Sequence, residues 1–158
     1  MTDSTQPGSE VLESTVLIVD DNEQNLELLQ AYLDDLGCAI RTARDGAEAI
    51  VDIEKVLPDL VLLDIMMPKM SGFQVCERLK SNPRTRDVPI IMVTALNEVG
   101  DIERAVEAGA DDFLTKPVNR LELLTRVKSL LRVRSLKHKL DSTLEALRQL
   151  RSDQQPDV

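Results

Sequence analysis

An unbroken apolar run, Leu60-Val61-Leu62-Leu63, ends directly in Asp64 and is followed within a few residues by Pro68 and Gly72. A run of this kind reads as a strand buried on both faces, which is the habit of parallel sheets. The aspartate stands where the strand leaves the sheet, and the Pro and Gly mark a loop before the next helix. Open α/β sheets present their chemistry at the carboxyl ends of their strands, so Asp64 falls where a functional group is expected.

The rest of the chain repeats the pattern. Val16–Val19 forms a first buried strand ending at Asp20-Asp21. Asn22 is suited to cap the helix that follows, whose stripe of Leu26, Leu29, Leu33 and Leu36 runs to Gly37. Cys38–Ala43 is a less apolar second strand, placed nearer a sheet edge. Asp45 caps a helix carrying Ala47, Ala49, Ile50 and Ile53 that stops before Pro58. After the Leu60–Leu63 strand, Ser71 starts a helix with Phe73, Val75, Cys76 and Leu79 that ends near Asn82-Pro83. Pro89–Val93 is a fourth strand leading to Thr94-Ala95. Ile102, Ala105, Val106 and Ala108 lie on the next helix, closed by Gly109. Asp112–Leu114 is a short fifth strand ending in Thr115-Lys116-Pro117, and a final helix starts near Asn119. Five strands alternating with five helices through short loops predict an α/β fold, a parallel sheet covered on both faces.

A length of 158 residues suits one domain with an appendage. Aromatics make up only 2% of the chain, so Leu, Ile, Val, Met and Ala must fill the core. No apolar stretch approaches the roughly 20 residues of a membrane span. The polar, acidic start of the chain does not read as a secretion signal. Cys38 and Cys76 lack metal-site or redox-motif spacing and are expected to be buried thiols in a reducing cytoplasm. A net charge of −9 argues against general nucleic-acid binding. The charge is uneven. Between Arg120 and Arg151 nine Lys or Arg face three acids, leaving that segment at +6 and the remainder at −15.

Asp20, Asp21, Asp64, Thr94 and Lys116 follow strands one, three, four and five, and a doubly wound sheet would gather them in one crevice. Three carboxylates packed together repel one another and need a cation. Only oxygen donors are on offer, with no His or Cys, which favours a hard ion such as Mg²⁺. Lys116 adds a positive charge and Thr94 a hydroxyl. A metal, a lysine and a hydroxyl around one carboxylate can stabilise a transferring phosphoryl group, with Asp64 as the nucleophile.

In these residues the chain from about Thr15 to Arg132 resembles the response-regulator receiver domain, the CheY-like family of two-component signalling. Val-Leu-Ile-Val-Asp20-Asp21-Asn22 is similar to the family's acidic pair. Leu-Leu-Asp64-Ile-Met-Met-Pro68-Lys-Met-Ser-Gly72 is similar to its phosphoacceptor loop. Val-Thr94-Ala95 and Phe-Leu-Thr-Lys116-Pro117 match its hydroxyl and lysine positions. The resemblance implies a flavodoxin-like doubly wound sheet of five parallel strands in the order 2-1-3-4-5. It implies that Asp64 accepts phosphate from a histidine kinase or a histidine phosphotransfer protein. It also implies Mg²⁺ held by Asp20, Asp21, Asp64 and the backbone carbonyl of Met66, with Thr94 and Lys116 gripping the phosphoryl oxygens. Phe113 occupies the aromatic switch position, turning inward as Thr94 moves toward the phosphate. The Lys116-Pro117 bond is often cis in the family. Met66 and Leu96 flank the site and are expected to influence dephosphorylation. His138, the one histidine, sits between Lys137 and Lys139 on a solvated helix and is not expected to act as a phosphodonor.

These readings divide the chain into a disordered leader (1–14), a receiver domain (15–132), a helical extension (133–152) and a disordered tail (153–158). In the extension, Val133, Leu136, Leu140, Leu147 and Leu150 fall at a and d heptad positions, interrupted by Thr143. It can serve as a dimerising coiled coil, a docking helix for a downstream protein, a basic strip for nucleic acid or membrane, or a solvated helix with no role. The expected protein is a cytoplasmic, single-domain phosphoacceptor switch that signals through protein contacts and is not an enzyme beyond slow self-dephosphorylation. Two other readings stay open: a Mg²⁺-dependent phosphohydrolase or phosphotransferase using Asp64, and an adaptor that is never phosphorylated. The first lacks a second carboxylate two residues after Asp64, where Met66 stands.

Overall fold

Five short strands pair in parallel in the order β2-β1-β3-β4-β5. In the computed structural model, which describes residues 9–95 and 99–154, they are β1 (Thr15–Val19), β2 (Ala39–Ala43), β3 (Leu60–Asp64), β4 (Ile90–Thr94) and β5 (Asp112–Thr115). The helices are α1 (Ser9–Leu12), α2 (Glu23–Asp34), α3 (Gly46–Lys55), α4 (Gly72–Ser81), α5 (Val99–Glu107) and α6 (Arg120–Asp153). The alternation of runs predicts the parallel α/β sheet, and the strand order is the flavodoxin-like one that the resemblance implies. The sequence expectation of a less apolar strand at an edge holds for β2, which pairs only with β1.

Side chains alternate across each strand, so every central strand feeds two cores. Leu17, Val19, Val61, Leu63, Ile90 and Met92 face α3, α4 and α5 through Ile50, Ile53, Phe73, Leu79 and Ala105. Val16, Ile18, Leu60, Leu62 and Ile91 face the other way, against Leu26, Leu29 and Leu33 of α2 and Leu123, Leu124, Val127 and Leu131 of α6. The helix starts are set by side chains named in the sequence. Asn22 Oδ1 accepts from the Gln24 and Asn25 N–H groups at 2.9 and 3.2 Å. Asp45 accepts from Glu48 N at 2.8 Å, and Ser71 with Gln74 closes a capping box. Asn119 caps α6 through Glu122 N at 3.0 Å. Gly109 ends its helix at a φ of 96°, a conformation that favours glycine.

Two expectations need correction. The leader (1–14) is not wholly irregular: residues 9–12 form α1, and Val11, 7% exposed, packs into the core shared by α2 and α6. A single four-residue turn is too short to show periodicity, so the burial of Val11 was not visible in the pattern. On α5, Val106 is 66% exposed, while Ala105 and, just past the helix, Ala108 are buried in the core under α3 and α4. Gly72 was read as a loop-shaper only; a Cβ there would run into the Asp64 carbonyl oxygen and sit 2.8 Å from Ile65 Cα. Residues 1–8, Leu96 and 155–158 lie outside the described residues.

Both thiols are buried, as the sequence suggested. Burial pushes Cys76 up to about 11, and its Sγ donates to Ala108 O at 3.3 Å; burial likewise raises Cys38. No helix among the described residues is long and apolar enough to cross a membrane.

The close approach at Gly72 separates two otherwise similar substitutions. Gly72→Ala is expected to cost about 1–3 kcal/mol, because the backbone it meets cannot rotate away. Gly100→Ala, where nothing lies within 4 Å of the added carbon, is expected to be neutral or to add up to about 1 kcal/mol through helix propensity. Urea unfolding of the two variants checks both.

Candidate functional site

The carboxyl ends of β1, β3 and β5 bring four charges together. Ligand oxygens of Asp20, Asp21 and Asp64 all lie within 4.8 Å of one another. Asp20 and Asp64 are buried, 1% and 4% exposed, whereas Asp21 is open to solvent and forms the mouth. Lys116 Nζ bridges the two buried carboxylates, 3.4 Å from Asp20 Oδ2 and 3.4 Å from Asp64 Oδ1. It arrives there because the strand before it is in register: Thr94 pairs with Thr115 across β4 and β5, and Lys116 N donates to Thr94 O at 2.7 Å. The Lys116-Pro117 bond is cis, as the resemblance implied.

Each carboxylate is also held by backbone. Asn22 N donates to Asp20 Oδ1 at 2.9 Å, so the residue that caps α2 also orients the acid two positions before it. Met66 N donates to Asp64 Oδ1 at 3.3 Å. Asp64 itself is fixed in the sheet, opposite Val93 of β4. Thr94, 4% exposed, ends that neighbouring strand one residue further on. Phe113 is half-buried, opposite Met92 in the ladder and packed against the core under α3, α4 and α5. Met66, 61% exposed, lies beside the mouth. His138 is exposed on α6, lining two small clefts with Asp87, Asp141, Glu13 and Lys139, and takes no part in this cluster.

Burial and the charge of Asp20 push Asp64 up to about 6, with Lys116 and the Met66 N–H pulling the other way. A carboxyl poised this way keeps its proton to a higher pH than an ordinary aspartate, and added positive charge favours its ionised form. Oxygen donors alone, two of them buried and one open to solvent, fit a hard divalent ion, whose charge would favour all three ionised forms. The residues therefore suit Mg²⁺.

Beside the cluster a cleft of about 440 Å³ opens between α2 and the end of β5, lined by Asn25, Leu28, Tyr32, Lys116, Pro117 and Val118. Leu28 is 45% exposed in it. The sequence offered a signal for this feature, a leucine off the α2 core stripe, but nothing that placed it next to Lys116.

Residues 16–128 match the family model described as the response regulator receiver domain. Among curated proteins the chain is 46% identical over 121 residues to "Response regulator PleD" of Caulobacter vibrioides, covering 77% of this chain and 27% of that protein. It is 41% identical over 117 residues to "DNA-binding dual master transcriptional regulator RpaA" of Synechocystis, covering 74% and 48%. The chain thus spans half or less of these relatives. Among solved structures, the signal receiver domain of a signal transduction histidine kinase from Syntrophus aciditrophicus has a TM-score of 0.71 at 38% identity, covering 75% of this chain and 90% of that one. A CheY-like response regulator receiver domain protein from Methanospirillum hungatei has a TM-score of 0.73 at 29% identity, covering 79% and 98%. The chain belongs to the response-regulator receiver family, whose members are phosphoacceptor switches with an acidic Mg²⁺ pocket.

The position of Asp64 has a consequence for stability. Its proton is held more tightly in the folded protein than in the unfolded chain, so stability falls as pH rises from about 4 through about 6 and is flat above. In metal-free protein, Asp64→Asn is expected to raise stability by roughly 2 kcal/mol near pH 8, a gain that vanishes near pH 4. Urea unfolding with chelator at the two pH values measures the difference, and Mg²⁺ should shrink it at pH 8 by stabilising only the wild type.

Proposed function

We propose that this chain is a cytoplasmic phosphorelay receiver that takes a phosphoryl group onto Asp64 from a sensor histidine kinase or a histidine phosphotransfer protein. The observation that carries the reading is the bridge of Lys116 between Asp20 and Asp64 inside a three-carboxylate cluster. An Asp64 oxygen attacks the donor phosphorus, the bond to the donor nitrogen breaks, and the donor histidine leaves with the electron pair. Lys116 is within reach of Asp64 and offers fixed positive charge to the incoming oxygens, and the Thr94 hydroxyl offers a donor from the adjacent strand. Mg²⁺ bound by Asp20, Asp21, Asp64 and the Met66 carbonyl would supply the charge that offsets three acids and a phosphoryl group. The apolar cleft beside Lys116 suits the body of a phosphodonor protein, because it opens directly at the reacting end.

The acyl phosphate then acts as a switch rather than as a step in the turnover of small substrates. Thr94 and Phe113 carry it, since both border the core under α3, α4 and α5 and a shift at Thr94 leaves room for the half-buried ring to turn inward. Output is by protein contact. The receiver proper comprises residues 15–132, and the extension 133–152 is where a second copy docks.

Mass spectrometry of the chain treated with Mg²⁺ and a small phosphodonor is expected to show one added phosphoryl group, and none on Asp64→Asn. Lys116→Ala is expected to lower the rate of adduct formation by about 10²-fold. An adduct on Asp64→Asn at the wild-type level would overturn the assignment of the acceptor.

A further inference from the structure

Beyond Leu131 the helix α6 stops burying apolar residues but keeps presenting them. Val133, Leu136, Leu140, Leu144, Leu147 and Leu150 are 42–61% exposed. At 3.6 residues per turn they share a stripe about 120° wide. Leu144 belongs to it beside Thr143, so the polar interruption in the heptad pattern is partly filled. The stripe faces away from the body. Arg134, on the opposite side of the helix, pairs with Asp59 (Nε to Oδ1, 3.3 Å) and donates to Asp87 O at 3.1 Å, while Lys137 reaches Asp87 Oδ1 at 3.3 Å. From Lys139 to Gln154 every residue is exposed. The body is thus fixed to one side of α6 and a second helix can lie along the other without meeting it.

The charges beside the stripe decide what that helix is. In heptad positions with Val133 at a, the flanking e and g sites hold Arg132, Lys137, Lys139, Leu144, Ala146, Arg151 and, at the last residue, Asp153. Two copies in parallel would set each Arg132 against Lys137 of the other, a like-charge contact made twice, and no opposite-charge pair would form between the e and g sites of the two helices. They would also stack Thr143 on Thr143, although its hydroxyl already donates to Lys139 O at 2.9 Å. Two copies in antiparallel order place Val133 opposite Leu150, Leu136 opposite Leu147 and Leu140 opposite Thr143. Each Arg132 then lies beside Asp153 of the second copy, an opposite-charge contact made twice, and Lys137 and Lys139 lie beside Leu144 and Ala146 rather than beside charge.

We propose that residues 133–153 pair antiparallel with the same helix of a second copy, holding two receivers with their phosphoacceptor ends turned apart. The proposal deepens the reading of the extension as the docking element for a second copy and gives it an orientation. The stripe is little over two heptads long, so the dimer is weak and assembles with concentration.

Sedimentation equilibrium of the full chain over a concentration series is expected to show a reversible monomer–dimer equilibrium. Asp153→Lys, on an exposed last turn that leaves the fold alone, is expected to weaken the dimer several-fold at low salt, because it sets Lys against Arg132 twice; a parallel dimer would not respond. Cysteine cross-linking fixes the orientation, since Cys38 and Cys76 are buried. Leu136→Cys alone should not cross-link under mild oxidation, whereas Leu136→Cys with Leu147→Cys should. Efficient cross-linking of Leu136→Cys alone would establish the parallel arrangement and overturn the proposal. A chain that stays monomeric throughout the series overturns it as well, and the phosphoryl adduct on Asp64, which does not involve α6, would still be measurable on that monomer.

Discussion

Two carboxylates buried side by side, Asp20 and Asp64, are the constraint on which the rest of the site depends. Lys116 lies between them and offsets part of the charge they share, and it reaches them only because β5 is in register with β4. The balance is incomplete, since burial and Asp20 still outweigh the lysine and leave Asp64 up at about 6. The site is therefore built short of positive charge. A metal ion and a phosphoryl group are the natural occupants of such a place: the one brings the missing charge and the other uses it.

The same economy runs through the loop after β3. Gly72 packs its backbone against the carbonyl of Asp64 and donates from its N–H to Ile65 O at 2.9 Å. The loop thereby folds back under the acid it follows, and Ser71 can start α4 immediately with a capping box. Asp64, the loop and the start of α4 form one rigid unit, so the acceptor is positioned by backbone rather than by a flexible side-chain network.

Most of the strands and helix starts were legible in the sequence because each has a local cause: an apolar run for the strand, a short polar side chain for the cap. The acidic pair, Asp64, Thr94 and Lys116 were legible because each stands at the end of such a run. What escaped was decided at long range. The contact of Gly72 with Asp64 depends on a loop path that spacing does not specify. The burial of Val11 depends on α6, more than a hundred positions along the chain. Asp59, just before the apolar run, accepts from Thr15 N at 2.8 Å and pairs with Arg134, tying the starts of β1 and β3 to α6.

Asp59 also shows how the two ends of the molecule are related. It immediately precedes β3 and Asp64 closes the strand, so the strand that carries Asp64 is anchored at its far end to Arg134 of α6. Asn119, the cap of α6, follows three residues after Lys116. The part of the helix up to Lys137 is thereby held to the body, by its start, by Arg134 and Lys137, and by Leu123, Leu124, Val127 and Leu131 between them. Thr94 and Phe113 lie toward the other layer, with α3, α4 and α5. In the proposed reading, a displacement of Thr94 and Phe113 falls in that layer, away from the Arg134 and Lys137 contacts. On the proposals above, switching and assembly draw on different faces of one sheet, so that an arm fixed on one face would hold two receivers together while the other face changes shape.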